Sequence, residues 1–187
     1  MSSDNPQYWT KDVILRDGTR VLFRPEKPSD LDMLKAMFLN LSEDTRRLLS
    51  RPITEERIEG WITNLDYNKS LPIVAITTEL QGQERIISVA SLDFYSSDAS
   101  KHKTEFGITV HDDYQNRGLG TILTNHMIAI ARQMRLKKVY LRVVTENERA
   151  IHVYKKCGFH IEGELKMEYW NYVTGEYGDD YQMAIFL

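Results

Sequence analysis

The sequence predicts an α/β domain built on one mixed central sheet flanked by helices. Three observations carry this. Short alternating apolar runs and longer runs with helical spacing follow one another along the chain. A glycine-bearing segment, Gln115-Asn116-Arg117-Gly118-Leu119-Gly120, joins a strand-like run, Thr104–Val110, to a helix-like run, Leu119–Arg135. The early strand-like runs meet at polar turns and the later ones are separated by helices, so antiparallel and parallel pairing share one sheet.

The elements follow in order. The first ten residues are expected to be a flexible tail, and residues 11–187 a single folded domain. Val13–Arg16 and Thr19–Arg24 alternate around Asp17-Gly18, a strong tight-hairpin signal. Ser29 reads as an N-cap, with Leu31, Leu34, Phe38 and Leu41 at helical spacing behind it. A short helix is expected over Glu43–Leu49. Thr54 caps another, with Ile58, Trp61, Ile62 and Leu65 on one face. Pro72–Leu80 and Arg85–Phe94 read as strands joined by the polar turn Gln81–Glu84, and Lys103–Val110 as the next strand. In the following helix Leu119, Ile122, Leu123, Met127, Ile130 and Met134 form the buried stripe. Lys138–Val144 is rich in β-branched residues. Asn147 caps a short helix ending near Lys156, with Gly158 as its terminating glycine. Phe159–Trp170 and Tyr177–Phe186 close the chain, turning at Thr174-Gly175.

Length and composition narrow the class. The chain has 187 residues and a net charge of -3. That suits one domain with a sizeable core and gives no basic surplus to draw nucleic acid. A single cysteine, Cys157, excludes an internal disulfide framework and fits a reducing compartment. The polar start lacks an apolar signal region, and no apolar run is long enough to span a membrane, so a cytoplasmic location is expected. His102, His111, His126, His152 and His160 stand at no metal-ligand spacing, so no metal is expected.

The glycine segment carries the first functional signal. A glycine-rich turn opening a helix exposes backbone N–H groups at the positive end of the helix dipole, a site for phosphate. A P-loop would need Lys and Ser/Thr after Gly120, but Thr121 and Ile122 follow; a dinucleotide fingerprint needs a third glycine where Leu123 stands. The bland alternative is that Gly118 and Gly120 only make a tight turn. A second constellation, Asn147, Ala150, Tyr154, Lys156, Gly158 and Phe159, lies one strand further on. Both helix N-termini should open near the carboxyl ends of the strands, where open α/β sheets bind ligands. Tyr154 is either a hydroxyl reaching into that cleft or core filler beside Val153 and Cys157.

With both motifs in view, the sequence resembles the GNAT superfamily of N-acetyltransferases. The resemblance rests on Q-N-R-G-L-G and on N-x-x-A-x-x-x-Y-x-K-x-G-F at the expected distance, and it covers nearly the whole chain. It implies a single-domain GNAT-like fold, an N-acetyltransferase domain over residues 11–187, and acetyl-CoA as cosubstrate. It further implies that backbone groups of Thr109 and Val110 pair with the pantetheine arm as an added strand. The N–H groups of Gln115, Asn116, Arg117, Gly118, Leu119, Gly120 and Thr121 would bind the pyrophosphate. Asn147 would contact the cofactor, and Tyr154 would stand beside its sulfur.

The chemistry explains the need for such groups. An alkyl amine with a pKa near ~10.4 is neutral in only about one molecule in 10³–10⁴ at pH 7, so a proton acceptor helps. The departing thiolate needs a proton or hydrogen bond, which a tyrosine hydroxyl supplies. Glu105, at a position often acidic in the superfamily, is the candidate acceptor, directly or through water. Alternation sets Glu105, Gly107 and Thr109 opposite Phe106, Ile108 and Val110. A solvated strand carboxylate is the competing reading; His111 and His126 are further candidate bases.

The acceptor itself is less defined. The opening L-R-D-G-T-R-V-L-F-R-P with F-L-N-L-S-E-D-T-R-R-L resembles Pat-type protein lysine acetyltransferases. The closing G-F-H-I-E-G-E-L with G-E-Y-G-D-D-Y-Q-M-A-I resembles ribosomal-protein N-terminal and small-molecule acetyltransferases. A protein or peptide amine is therefore expected over a small amine, with no nucleic-acid or membrane partner and with room for a homodimer. A non-catalytic acyl-CoA sensor and an unrelated nucleotide-binding protein are the alternatives.

Overall fold

The computed structural model describes residues 6–49, 51–78 and 82–187. Its strands are β1 (Lys11–Ile14), β2 (Arg20–Pro25), β3 (Ser70–Thr78), β4 (Glu84–Phe94), β5 (Lys103–Val110), β6 (Lys138–Val144), β7 (His160–Asn171) and β8 (Glu176–Phe186). They form one sheet in the order β1-β2-β3-β4-β5-β6-β8-β7. Every pairing is antiparallel except β5 with β6. A parallel pair needs a crossover, and the helix α4 (Leu119–Gln133) supplies it.

Helices cover both faces of the sheet, as the sequence predicts. α4 and α5 (Glu148–Lys156) bury Leu119, Leu123, Met127, Ile151 and Tyr154 in a core shared with Phe23, Phe106, Leu141 and Met183. On the other face α1 (Leu31–Leu39) and α3 (Glu55–Thr63) bury Leu34, Met37, Phe38 and Ile58 against Val74, Ile76 and Ile86. Alternation in β5 matches expectation: Thr104 and Phe106 are buried, and Phe106, Ile108 and Val110 pack toward α4. Thr54 and Asn147 cap their helices, their side chains accepting from the N–H groups of Arg57 and Ala150.

Some local readings are corrected. The Asp17-Gly18 hairpin is not a two-residue turn. Leu15 N–H reaches the Thr19 carbonyl and Gly18 N–H the Leu15 carbonyl, so Arg16, Asp17 and Gly18 form a three-residue loop ending in a left-handed glycine, φ +85°. Ser29 lies in a 3-10 turn, Pro28–Asp30, and does not cap α1. The turn is set by Pro28 and by the buried Asp30 carboxylate, which accepts from the Lys27 N–H and from both Arg24 Nη atoms. The helix expected over Glu43–Leu49 is helical as α2 (Glu43–Arg46) and then tightens, Leu48 and Leu49 bonding three residues back. The expected tail divides: residues 1–5 lie outside the described residues, whereas Pro6–Trp9 form a 3-10 turn and Trp9 packs against the core. Burial of that indole explains why the segment is held. The readings at Leu80 and Gln81 also lie outside the described residues.

Candidate active site

The strands β5 and β6 pair only where Lys103, Thr104 and Glu105 meet Lys138, Val139 and Tyr140. They then part, although β5 stays paired with β4 as far as Val110 and β6 with β8 as far as Val144. Phe106, the first residue past the split, packs with Tyr154 and Phe159 at 6.2 Å ring separations. The gap opens into a cavity of about 760 Å³ lined by β5 from Phe106 to Val110, by the start of α4, by one side of α5, and by residues of α1 and α3. One space thus communicates with both faces of the sheet.

The parted edge of β5 leaves a row of backbone groups facing the gap. His111 N–H bonds to the Ile87 carbonyl. In an antiparallel ladder this fixes Val89–Thr109 and Ser91–Gly107 as the mutually bonded pairs. The backbone groups of Phe106, Ile108 and Val110 therefore point toward β6, which is no longer there to meet them. This corrects the expectation for Thr109: its backbone faces β4, its carbonyl also accepts from the Ser88 hydroxyl at 2.7 Å, and its side chain lines the cavity. The Val110 carbonyl accepts from Gln115 Nε2 at 3.0 Å, so Val110 offers its N–H. Ile108 and Val110 are the residues able to hold an extended arm.

At the other end lies the glycine segment. Asn116 and Gly118 are left-handed, φ +61° and +87°, which turns successive N–H groups toward one side. The first α4 hydrogen bond runs from Ile122 N–H to the Gly118 carbonyl. The N–H groups of Leu119, Gly120 and Thr121 thus precede the helical ladder. Among the described residues no side chain caps the start of α4, and Gly118, Gly120 and Thr121 line the cavity. Uncapped donors at a helix start in a cavity wall are what a pyrophosphate needs. Gln115 holds the loop by donating to Thr45 and Val110. Arg117 turns away, ion-paired with Asp17 at 3.0 Å and stacked on Tyr114, so Arg117 and the buried Leu119 contribute backbone only. Asp112 fastens this loop to α2: hydrogen bonds from Ser42 and Thr45 outweigh its burial and bring its carboxyl down to about 2.

The opposite wall is α5. Asn147 lines the cavity while its oxygen caps the helix at 3.1 Å. Tyr154 lines it too, 7% exposed among Phe106 and Phe159. Burial, with the neighbouring Cys157, holds its phenol proton more firmly than usual. Tyr154 is thus both core and cavity wall, and its hydroxyl is a hydrogen-bond donor rather than an anion.

Glu105 is placed differently from the expectation. Its Oε2 accepts from Tyr140 at 2.9 Å and Tyr95 at 3.3 Å, and the cavity lining does not include it. It closes the base of the split, where β5 and β6 still pair. Nor do the two histidines reach the cavity. His111 is 4% exposed, with Nε2 2.9 Å from Arg85 Nη2, and His126 Nε2 meets the Trp9 carbonyl at 3.1 Å. Burial lowers the pKa of each.

Among the lining residues that the sequence reading did not assign to the site, Arg16 and Asp180 bear on its chemistry. Arg16 reaches the glycine segment from the β1–β2 loop; a Cβ on Gly118 would stand 3.7 Å from its Nε. No local signal reveals a contact across a hundred residues. Asp180, on β8 opposite Val144, is 2% exposed. The sequence does not set it apart from Glu176 and Asp179 on the same strand; burial does. Among the described residues no group of His, Cys, Asp and Glu could hold a metal, and no helix is long and apolar enough to cross a membrane.

The parallel pair β5–β6 thus splits beside the N-terminus of α4, and the split and the helix start face one space. The model of the GNAT acetyltransferase family matches residues 36–159, and the chain belongs to that family. Acetyltransferases of the family use acetyl-CoA as cosubstrate. The chain is 39% identical over 85 residues to spermidine N(1)-acetyltransferase of Escherichia coli K12, 45% of each protein. It is 35% identical over 100 residues to the L-amino acid N-acetyltransferase AaaT of the same organism, 53% of this chain and 60% of that one. These matches span about half the length of the curated relatives. The GNAT domain of S. lividans PAT superposes with a TM-score of 0.77 over 98% of this chain and 99% of that one, at 20% identity, which shows the shared fold.

Proposed function

We propose that this chain transfers an acetyl group from acetyl-CoA to a primary amine by direct attack of the amine. The observation that carries the reading is the split between β5 and β6, edged by backbone groups of β5 that point away from β4 and ending at the start of α4. Ile108 and Val110 hold the pantetheine arm along the edge of β5. The N–H groups of Leu119, Gly120 and Thr121 bind the pyrophosphate, with Gly118 giving close approach and Arg16 adding a cation. Asn147 orients the arm from α5. Tyr154 donates its hydroxyl to the departing sulfur. Glu105 acts on the strand junction by holding Tyr95 and Tyr140, and not on the amine.

The amine enters from the α1–α3 face, between Phe38, Leu49, Ile53 and Trp61, toward Asp93 and Asp180. The amino-terminal resemblance supports an amine presented by a protein or peptide. A free polyamine or amino acid is the second reading, favoured by the identities to the spermidine and amino-acid acetyltransferases. Thiol release from acetyl-CoA, measured with spermidine, L-amino acids, an alanine-initiated peptide and a lysine peptide, tests both. Release with a peptide alone supports the first reading, release with free amines alone the second. Acetyl-CoA binding with no release to any amine would reduce the chain to an acyl-CoA sensor.

A further inference from the structure

We propose that Asp180 receives the acceptor's ammonium group in the cleft and takes its proton as the amine attacks; this rests on the acetyltransferase reading above. The residue is 2% exposed, and its Oδ1 is buried without a hydrogen-bond partner among the described residues. It nevertheless lines the cavity, together with Val143 and Val144 of β6, the strand that has parted from β5. Asp180 sits opposite Val144 in the β6–β8 ladder, where side chains of alternate residues share the face of Tyr140 and Ala184. That is the α1–α3 face, from which the amine enters; Tyr154 belongs to the other. The thioester carbonyl threaded through the split would lie between them.

A buried carboxylate oxygen without a partner is costly, and the cost is removed by a cation or by a proton. A cation does act on it, but one already engaged. Arg142 of β6 is ion-paired with Glu168 of β7. Among the described residues, Glu168 and Tyr169 from β7 and Asp179 beside it on β8 also interact with it electrostatically. Asp179 is held by Lys166 at 2.9 Å. Burial first, then the negative charge of Glu168, raise the Asp180 carboxyl to about 6 against the pull of Arg142. A carboxyl so placed is largely ionised at neutral pH and remains a better base than a solvated aspartate. Glu105 has two tyrosine donors already and lies outside the cavity.

The ammonium gives one proton to Asp180, and the freed lone pair forms the C–N bond while the C–S bond breaks. The sulfur takes the proton offered by Tyr154, whose hydroxyl is restored by the second proton leaving nitrogen. Asp180 returns its proton to solvent, so acetyl-CoA and an ammonium yield an amide, CoA thiol and one proton.

The test is Asp180→Asn, which keeps shape and removes the base. Acetyl-CoA affinity by calorimetry should be unchanged. Thiol release with the amines named above should fall by about 10²-fold or more at pH 7, and the loss should shrink toward about pH 9 as more amine is already neutral. The wild-type rise in kcat/KM through about pH 6 should be absent from the variant. Turnover within about threefold of wild type at every pH overturns the proposal, as does a loss that merely follows weaker acetyl-CoA binding. Failure of the wild type to bind acetyl-CoA refutes the acetyltransferase reading instead. If the wild type binds acetyl-CoA and acetylates none of those amines, carbon-detected NMR of its CoA complex decides. n-Butylammonium should shift the Asp180 carboxyl resonance, and an unmoved resonance at saturating amine overturns the assignment.

Discussion

Replacing Gly118 by Asp and by Asn separates charge from shape at the proposed pyrophosphate cradle. Gly118 has φ +87°, and a Cβ there meets nothing closer than Arg16 Nε at 3.7 Å. Both replacements fit and both tolerate the left-handed region, at a cost of about 1 kcal/mol. For a chain of this size that lowers Tm by about 2–4 °C, equally for the two. They differ in one negative charge. At about 5 Å from each of two phosphate charges, with an effective dielectric of about 40, the repulsion is about 1.7 kcal/mol apiece. Salt screening leaves about 2–3 kcal/mol, or about 30- to 150-fold in Kd. An Asp carboxylate would also engage Arg16, withdrawing that cation from the phosphate. Calorimetric titration with acetyl-CoA should therefore find Gly118→Asn within about fivefold of wild type and Gly118→Asp weaker by the full factor, the gap narrowing at high salt. Equal affinity of the two variants would mean that no phosphate approaches this turn.

Further outcomes follow from the same geometry. Tyr154→Phe should lower kcat by about 10²–10⁴ and leave acetyl-CoA affinity nearly unchanged; a loss below about threefold with chemistry rate-limiting makes Tyr154 a packing residue. Glu105→Gln should leave the pH profile of kcat in place, because its carboxylate serves Tyr95 and Tyr140 off the cavity; a large kcat loss that shrinks as pH rises would restore Glu105 as the base. Burial and the charge of Asp30, against Arg24, raise the Glu26 carboxyl from the usual 4.5 to about 7. A raised carboxyl stabilises the fold below its unfolded pKa, and that stability is lost as pH rises through the folded one. Urea unfolding should show wild type losing up to about 3 kcal/mol between about pH 4.5 and 7 relative to Glu26→Gln, from about 1.36 kcal/mol per pH unit. Parallel stability curves would remove Glu26 from that account.

The fold was legible because its signals are local. The β5 alternation, the α4 stripe, the Asn147 cap and Gly158, with φ +97° against Ile185, can each be read within a few residues. The turn and helix start of the glycine segment were legible for the same reason, since glycine spacing and helical periodicity are local. What escaped depends on contacts distant in sequence. Arg16 meets Gly118 from the β1–β2 loop, a hundred residues away in the chain. The choice between Ile108 and Thr109 as edge residues depends on the β4–β5 register, which alternation within β5 does not fix. Glu105 reads as a site residue from its position alone, and its tyrosine partners lie ten and 35 residues away. Asp180 reads as one acid among several until burial singles it out.

The central claim is that the parted edge of β5 and the start of α4 are the cofactor site. Amide-resolved NMR of the chain titrated with acetyl-CoA tests this directly. The account predicts saturable one-to-one shifts concentrated at the N–H groups of Ile108, Val110, Leu119, Gly120 and Thr121, with Thr109 less affected because its N–H is bonded within the sheet. Saturable binding that leaves those amides unmoved, or shifts centred elsewhere on the molecule, would contradict it.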